Sequence, residues 1–272
     1  VFFKMGLPFD DPRAQDVSKR IAETIYFHAT QTSMELAKTL GAHPAFAETR
    51  AARGHLQPDL WGVTPITEYD WAGLRKDVVE HGLRNSLMIA IAPTATIASI
   101  LGIYECIEPQ VSNLFKRETL SGEFLQVNRY LVQDLRRLGL WTPELRQQLK
   151  VNRGSVAAID ELPANLKKLY RTAWELSMKT LVDLAADRGA FIDQSQSLNL
   201  FVESPNIGRL SSMYMYAWKK GLKTTYYLRS RPATEINMST QSESKSSETQ
   251  TFTSAEALAC SLENPEHCDA CQ

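Results

Sequence analysis

Six consecutive apolar residues at positions 87–92, Leu-Met-Ile-Ala-Ile-Ala, constrain the fold of this chain more than any other segment. A run of this length favours a β-strand that is buried on both faces. Such a strand needs covering helices, and the spacing of apolar residues predicts helices on either side of it. We therefore expect an α/β domain. The predicted helices span residues 12–40, 70–80, 122–138, 142–149, 163–187 and 207–221, and residues 223–229 have strand character.

The first long helix has clear start and stop signals. A capping Asp and a Pro precede it, and Gly41 follows it. Val17, Ile21, Ile25 and His28 recur at three- to four-residue spacing, which predicts that they form the buried side of this helix.

The composition excludes several classes of protein. The chain has 272 residues, of which 43% are hydrophobic, enough for one large domain or two modest ones. The net charge of −1 argues against bulk electrostatic binding to nucleic acid or to a membrane surface. No apolar run is long enough to span a bilayer, and the first residues do not form a signal peptide. A cytoplasmic protein is the expectation.

The composition changes after Pro232. Ten of the 16 residues at 239–254 are Ser or Thr. Such a segment cannot bury enough apolar surface to offset the entropy lost on ordering. We predict a folded body at residues 1–233, a disordered linker at 234–259 and a cysteine-bearing tail at 260–272.

The tail carries Cys268 and Cys271, two thiols separated by two residues. Such a pair can close a disulfide or bind a metal ion. With Cys260 and His267 it could supply the four ligands of a zinc site, although His267 and Cys268 are adjacent, which suits such a site poorly. Dithiol exchange is the favoured interpretation, because a linker of about 35 residues would let the dithiol move over roughly 30–35 Å.

The residues that follow the apolar run are Pro93, Thr94, Ala95, Thr96 and Ile97. They predict a turn into a helix that begins near Thr96. Unpaired backbone N–H groups at such a terminus favour a phosphate or a carboxylate, and the two threonine hydroxyls can add hydrogen bonds. Ordinary N-capping explains the same residues and is favoured on spacing alone.

Tyr226 and Tyr227 lie in a β-prone segment, which a simple strand explains. Alternatively, two stacked phenols could form a redox pair that passes an electron while a proton shifts locally. Neighbours on a regular strand point to opposite faces, so stacking would require an irregular backbone. Cys106 lies close to Glu105 and Glu108, and acidic neighbours raise a thiol pKa, so a structural role is expected for this cysteine.

Several motifs, in order along the whole chain, resemble the large subunit of class I ribonucleotide reductase. The motifs are Arg84-Asn85-Ser86-Leu87, Pro93-Thr94-Ala95-Thr96, Ile107-Glu108-Pro109, Leu120-Ser121-Gly122-Glu123-Phe124, the run from Arg188 to Asn199, Tyr226-Tyr227-Leu228-Arg229, and the tail cysteines. The resemblance implies the C-terminal part of a ten-stranded α/β barrel, followed by a flexible tail. It also implies an enzyme that reduces ribonucleoside diphosphates to deoxyribonucleoside diphosphates by a radical mechanism.

The resemblance also implies roles for the residues singled out above. Residues 93–97 would hold the substrate diphosphate, with Ile97 at a place where relatives can carry a hydroxyl. Tyr226 and Tyr227 would be the radical-transfer pair, and burial is expected to keep both phenols protonated. Cys268 and Cys271 would be the tail dithiol that re-reduces the active-site disulfide and is itself reduced by thioredoxin or glutaredoxin.

One element of the family's pattern is missing from this sequence. The thiyl-radical cysteine of the family lies in an Asn-x-Cys-x-Glu motif, and no cysteine here has that context. We therefore expect the C-terminal portion of the subunit, inactive alone, with ATP and deoxynucleotide effectors bound elsewhere in the intact subunit.

The implied partners are the small, radical-bearing subunit, thioredoxin or glutaredoxin, the diphosphate substrate and further copies of the large subunit. The chain would bind no cofactor or metal itself and would depend on the metal-radical cofactor of the small subunit. The helix at 207–221, with Met213, Met215 and Trp218, is expected to contact that subunit. The competing hypothesis is a stand-alone, non-catalytic binding module with a zinc-binding C-terminal tip.

Overall fold

The structure is a computed structural model that describes residues 1–119 and 122–231. The predicted linker at 234–259 and the tail at 260–272 lie outside the described residues. The α-helices are α1 (Phe2–Met5), α2 (Pro12–Leu40), α3 (Gln57–Leu60), α4 (Trp71–His81), α5 (Ala95–Ile100), α6 (Arg129–Arg137), α7 (Pro143–Val151), α8 (Ala164–Leu169), α9 (Met178–Gly189) and α10 (Ile207–Lys219). The strands are β1 (Leu114–Thr119), β2 (Gly122–Val127), β3 (Leu200–Phe201) and β4 (Leu228–Arg229).

The predicted bounds of the first long helix are confirmed, but its predicted buried side is wrong. Asp11 caps α2, and Gly41 follows its last residue with a φ of 78°. Ile21 and Ile25 are 43% and 51% exposed. The buried side instead carries Tyr26 and Phe27, whose rings pack against α4, because the larger aromatic surfaces gain more from burial.

The apolar run at 87–92 does not form the predicted strand buried on both faces. Leu87 is 53% exposed, and only Ile91 forms a β-bridge, parallel to Gln196. Ile91 N–H donates to Ser195 O and Ser197 N–H donates to Ile91 O. The extended segment is therefore hydrogen-bonded along one edge only among the described residues.

The segment 194–202 is the centre of a short parallel sheet. One edge pairs with the run around Ile91, and β3, at the end of the segment, pairs in parallel with β4. Helices α9 and α10 pack with β3 in one hydrophobic core. The resulting arc of three parallel segments, backed by helices, positions the candidate site.

Two of the predicted helices are wrong in part. Residues 114–119 and 122–127 form β1 and β2, which pair antiparallel, and α6 begins only after Asn128, whose side chain caps it. The predicted helix at 163–187 is divided into α8, a 3-10 turn and α9, because Thr172 and Ser177 each begin a new helical segment through their own caps. The predicted helices at 70–80, 142–149 and 207–221 are confirmed.

Three hydrophobic cores hold the described residues together. One joins α9, α10 and β3, a second joins α2 to α4 and Phe191, and a third joins α6, α7 and α8. No helix in the described part of the chain has both the length and the apolar character required to cross a membrane.

Candidate functional site

The turn at residues 93–97 leads into α5, as the sequence predicts. Thr94 has a φ of 52°, and its carbonyl accepts from Ala98 N–H at 2.7 Å. The Thr94 hydroxyl accepts from Cys106 N–H at 3.1 Å, so part of its hydrogen-bonding capacity is used within the loop. The side chains of Thr96 and Ile97 are exposed. The first turn of α5 is therefore accessible to an anionic ligand.

Cys106 closes the loop that contains this turn. Its thiol donates to Pro93 O at 3.2 Å and lies 3.9 Å from the Ser197 hydroxyl. Burial, and next the charge of Glu108, raise the pKa of the thiol to about 11. The predicted rise in pKa is thus present, with burial as its larger cause. A neutral thiol that donates to a backbone carbonyl fits a structural role.

The rings of Tyr226 and Tyr227 contact each other at a tilt. Their ring centroids are 4.0 Å apart with an interplanar angle of 48°, and the Tyr226 hydroxyl donates to the Tyr227 hydroxyl at 3.2 Å. The backbone here is irregular, since β4 begins only at Leu228. The two rings are therefore in contact, which a regular strand would forbid, but they are tilted rather than stacked.

The expected burial of these two phenols is wrong. Tyr226 and Tyr227 are 44% and 56% exposed among the described residues. The pKa of Tyr226 is nevertheless raised, and the first cause is its hydrogen bond to Tyr227. The hydrogen bond to Tyr227, more than desolvation, favours the protonated phenol of Tyr226.

A buried polar pair that the sequence analysis missed lies beside the tyrosines. Glu108 accepts from the Asn199 backbone N–H at 2.7 Å and from Asn199 Nδ2 at 2.9 Å. Asn199 Oδ1 accepts from Tyr227 N–H at 3.2 Å. Burial raises the pKa of Glu108, while its hydrogen bonds to Asn199 oppose that rise. Glu108 belongs to one of the motifs quoted above, but its partner lies 91 residues away and no sequence pattern indicates it.

Arg229 and Lys223 connect the tyrosine segment to neighbouring loops. The Arg229 guanidinium lies 5.9 Å from the Tyr227 ring centroid and 3.5 Å from Glu105. Lys223 Nζ donates to the backbone carbonyls of residues 192, 193 and 194, at 3.1, 2.8 and 2.8 Å. Because the Lys223 ammonium binds three backbone carbonyls, it holds the chain just before Tyr226 and Tyr227 against residues 192–194, where the central segment begins.

The structure brings the turn and the tyrosine pair to the same central segment. Cys106 joins the turn to Ser197, and Asn199 joins Glu108, two residues after Cys106, to Tyr227. The tail cysteines lie outside the described residues. Within 1–119 and 122–231 there is no group of three or more His, Cys, Asp or Glu residues that could hold a metal ion.

A parallel arc backed by helices, with polar loops gathered along its central segment, defines part of an α/β domain. Residues 1–228 match the family model described as "Ribonucleotide reductase, barrel domain". The chain belongs to this family. Its predicted fold class, part of an α/β barrel, and its resemblance to the reductase large subunit are thereby confirmed.

Individual relatives agree with this assignment. The chain is 46% identical to a ribonucleoside-diphosphate reductase large subunit of Arabidopsis thaliana over 99% of this chain and 35% of that protein. It is 51% identical to one of Dictyostelium discoideum over 86% of this chain and 27% of that protein. The structure of the class Id ribonucleotide reductase alpha subunit of Actinobacillus ureae matches with a TM-score of 0.65 and 26% identity, covering 85% of this chain and 37% of that one. The chain thus spans about a third of the length of these relatives.

Proposed function

We propose that this chain forms part of the large subunit of a ribonucleoside-diphosphate reductase and supplies its radical entrance, its substrate-diphosphate turn and its reducing tail. The observation that carries the proposal is the ring contact of Tyr226 and Tyr227, whose hydroxyls are 3.2 Å apart. The pair is joined through the central segment to the turn at 93–97. The reaction is the reduction of ribonucleoside diphosphates to deoxyribonucleoside diphosphates by a radical mechanism.

The pair can relay an oxidising equivalent in either direction. When Tyr227 is a neutral radical, an electron passes from the Tyr226 ring, whose centroid is 4.0 Å away, and the Tyr226 phenol proton moves along the hydrogen bond to the Tyr227 oxygen. The reverse transfer returns the electron and the proton to Tyr226. The hydrogen bond to Tyr227 raises the pKa of Tyr226, which keeps that phenol protonated at rest. Cys106 is not the radical-bearing cysteine in this proposal, because it lacks the family motif and its thiol donates to Pro93 O.

The turn at 93–97 binds the substrate diphosphate. Exposed backbone at the start of α5 supplies N–H donors, and the positive end of the helix dipole favours the anion. The hydrogen bonds from Cys106 to Thr94 and Pro93 hold this turn in place. Ile97 has no hydroxyl, so this turn has one side-chain donor fewer than a phosphate site with a hydroxyl at that position. Backbone N–H groups therefore make most of the hydrogen bonds to the diphosphate.

The reducing equivalents come from Cys268 and Cys271. The tail dithiol exchanges with a disulfide formed in the active site of the intact subunit, and thioredoxin or glutaredoxin then reduces the tail. The residue that abstracts hydrogen from the substrate is not in this sequence, so the chain alone is inactive with the small subunit.

The small subunit docks on the outer face of α10. Tyr214, Met215 and Trp218 are 39%, 38% and 70% exposed there. The same helix buries Met213 and Tyr216 in the core. The sequence predicts that Met213 contributes to the contact, but Met213 is buried, so the exposed residues make the contact.

The metal-radical cofactor belongs to the small subunit, and the large subunit assembles with further copies of itself in the cytoplasm.

The proposal is tested with Tyr226→Phe and Tyr227→Phe in the assembled large subunit, mixed with the small subunit and a ribonucleoside diphosphate. Each variant removes one hydroxyl and retains the ring, so substrate binding is expected to persist while deoxynucleotide formation is lost. Tyr130→Phe is the matched control, because Tyr130 is partly exposed and lies in α6, outside both the pair and the face of α10. Turnover by both pair variants at the rate of the control would overturn the radical-transfer role.

A further inference from the structure

The two tyrosines occupy a β-bulge, in which two residues of one strand stand opposite one residue of the other. Leu198 O accepts from Tyr226 N–H at 2.8 Å, whereas Leu200 N–H donates to Tyr227 O at 2.9 Å. In a regular parallel ladder, one residue would make both of these hydrogen bonds. Tyr226 and Tyr227 therefore share the position opposite Asn199. A bulge redirects a side chain, which explains why both rings lie on the same side.

The bulge displaces one backbone donor from the ladder. Because Leu198 O is taken by Tyr226, the N–H of Tyr227 has no ladder partner, and it donates instead to Asn199 Oδ1 at 3.2 Å. A side-chain oxygen thus replaces the missing backbone acceptor. Asn199 is only 2% exposed, so this hydrogen bond is made in a site with little access to water.

Glu108 fixes which way the Asn199 amide points. Its two oxygens accept from the backbone N–H of Asn199 at 2.7 Å and from Nδ2 at 2.9 Å. With Nδ2 facing the carboxylate, Oδ1 must face Tyr227 N–H. Glu108 is 9% exposed, and both of its oxygens are used by this one residue.

We propose that Asn199, oriented by Glu108, is the positioning residue that forms the bulge and brings the two phenols into contact. The geometric part of this inference stands on the hydrogen bonds alone, and only its consequence for turnover rests on the proposed function. Neither residue touches a phenol hydroxyl, so both act through the backbone of Tyr227. A displacement of about 1 Å in a reacting group can cost about 10²-fold in rate.

The chemistry of the pair allows a test by exchange of donor and acceptor. In Asn199→Asp, two carboxylates face each other, and Glu108 loses the hydrogen bond from Nδ2. In Glu108→Gln, the new amide group is a donor that faces a donor of Asn199, so one hydrogen bond of the pair is lost as well. In the double variant Glu108→Gln/Asn199→Asp, the Gln amide donates to the Asp carboxylate, the Gln oxygen accepts from the backbone, and the second Asp oxygen accepts from Tyr227 N–H. The net charge of the pair is unchanged. Asn113→Asp is the matched control, since Asn113 is a buried amide in another core.

The first readout is the titration of Tyr226 in the 272-residue chain, followed by NMR of ¹³Cζ-labelled tyrosine and assigned with Tyr226→Phe. We expect the raised pKa of Tyr226 to fall to its ordinary value in both single variants, and to return in the double variant. Asn113→Asp is expected to leave the pKa of Tyr226 unchanged while lowering the stability of the chain. Thermal unfolding of each variant shows whether it is folded. Unaltered titration in folded single variants, or no recovery of folding or titration in the double variant, would overturn the inference.

The second readout separates this inference from the proposed function. In the assembled reductase, the single variants are expected to lower kcat by about 10²-fold with the KM for the diphosphate unchanged, and the double variant to restore kcat. If the titration responds as expected but kcat does not change, the positioning role stands and radical transfer through this pair is wrong. If KM rises and kcat is unchanged, the consequence for turnover is overturned.

Discussion

Replacing Asp193 by alanine would remove the carboxylate that holds the apolar run against the central segment. Asp193 Oδ2 accepts from Met88 N–H at 2.7 Å and Oδ1 accepts from Ile89 N–H at 2.8 Å. These residues lead directly into the turn at 93–97. The Asp193 side chain therefore satisfies two backbone donors of a segment that makes few other hydrogen bonds along its length.

The expected loss of stability follows from these two hydrogen bonds. A hydrogen bond to a charged acceptor contributes about 1.5 to 3 kcal/mol. Asp193 and both donors are half-buried, so water partly replaces the carboxylate and the lower part of this range applies. We expect Asp193→Ala to lower the free energy of unfolding by about 3 to 4 kcal/mol. Asp193→Asn retains one acceptor oxygen and is expected to cost about half as much.

The assay is equilibrium unfolding in urea, monitored by tryptophan fluorescence and by far-ultraviolet circular dichroism. Asp70→Ala is the control, because Asp70 is an exposed helix cap that accepts one backbone N–H, from Gly73 at 2.8 Å, and such a cap contributes about 1 kcal/mol. A loss in Asp193→Ala no larger than in Asp70→Ala would refute the reasoning. In the assembled enzyme the same variant is expected to weaken binding of the nucleoside diphosphate.

Three further predictions concern other parts of the molecule. Gly154→Ala, at a φ of +82° and with an added Cβ 2.7 Å from a backbone nitrogen, is expected to lower stability by about 2 to 4 kcal/mol. Gly6→Ala, at a φ of +66° with nothing within 4 Å, is expected to cost about 1 kcal/mol in the same urea assay. Burial raises the pKa of the Cys106 thiol to about 11, so this thiol is expected to react with iodoacetamide at pH 8 about 10²-fold more slowly than an ordinary cysteine. Peptide mass spectrometry measures the rate, and the rate of an ordinary cysteine would contradict the raised pKa. Met215→Glu is expected to weaken binding of the small subunit without lowering the thermal unfolding temperature. Met213→Glu, at a buried position, is expected to unfold the chain. If calorimetry gives Met215→Glu the same affinity for the small subunit as wild type, α10 is not part of the interface.

Local signals in the sequence account for much of the fold. The Asp-Pro start of α2, the Asp cap of α4 and the Thr cap of α7 act within one helical turn, so the residues themselves indicate where those helices begin. The turn into α5 is predicted on the same grounds. Apolar periodicity alone predicts one continuous helix at 163–187, whereas the caps at Thr172 and Ser177 divide it into separate segments.

Contacts between distant residues account for what the sequence could not indicate. The buried side of α2 depends on which aromatic residues of α4 it meets, and the apolar run at 87–92 is hydrogen-bonded along one edge only among the described residues. The tyrosine pair could be recognised from its residue types, but the contact between its rings depends on a bulge opposite Asn199. That residue and Glu108 are 91 positions apart in sequence, and no periodicity relates them.

The most direct test of the account is electron paramagnetic resonance of the assembled reductase with 3-aminotyrosine in place of Tyr227, mixed with the small subunit and a ribonucleoside diphosphate. The aminophenol is easier to oxidise than tyrosine and retains the hydroxyl that faces Tyr226. The account predicts a new organic radical at position 227, formed as the radical signal of the small subunit decays. Decay of the small-subunit radical with turnover, and with no radical on the aminotyrosine, would contradict it.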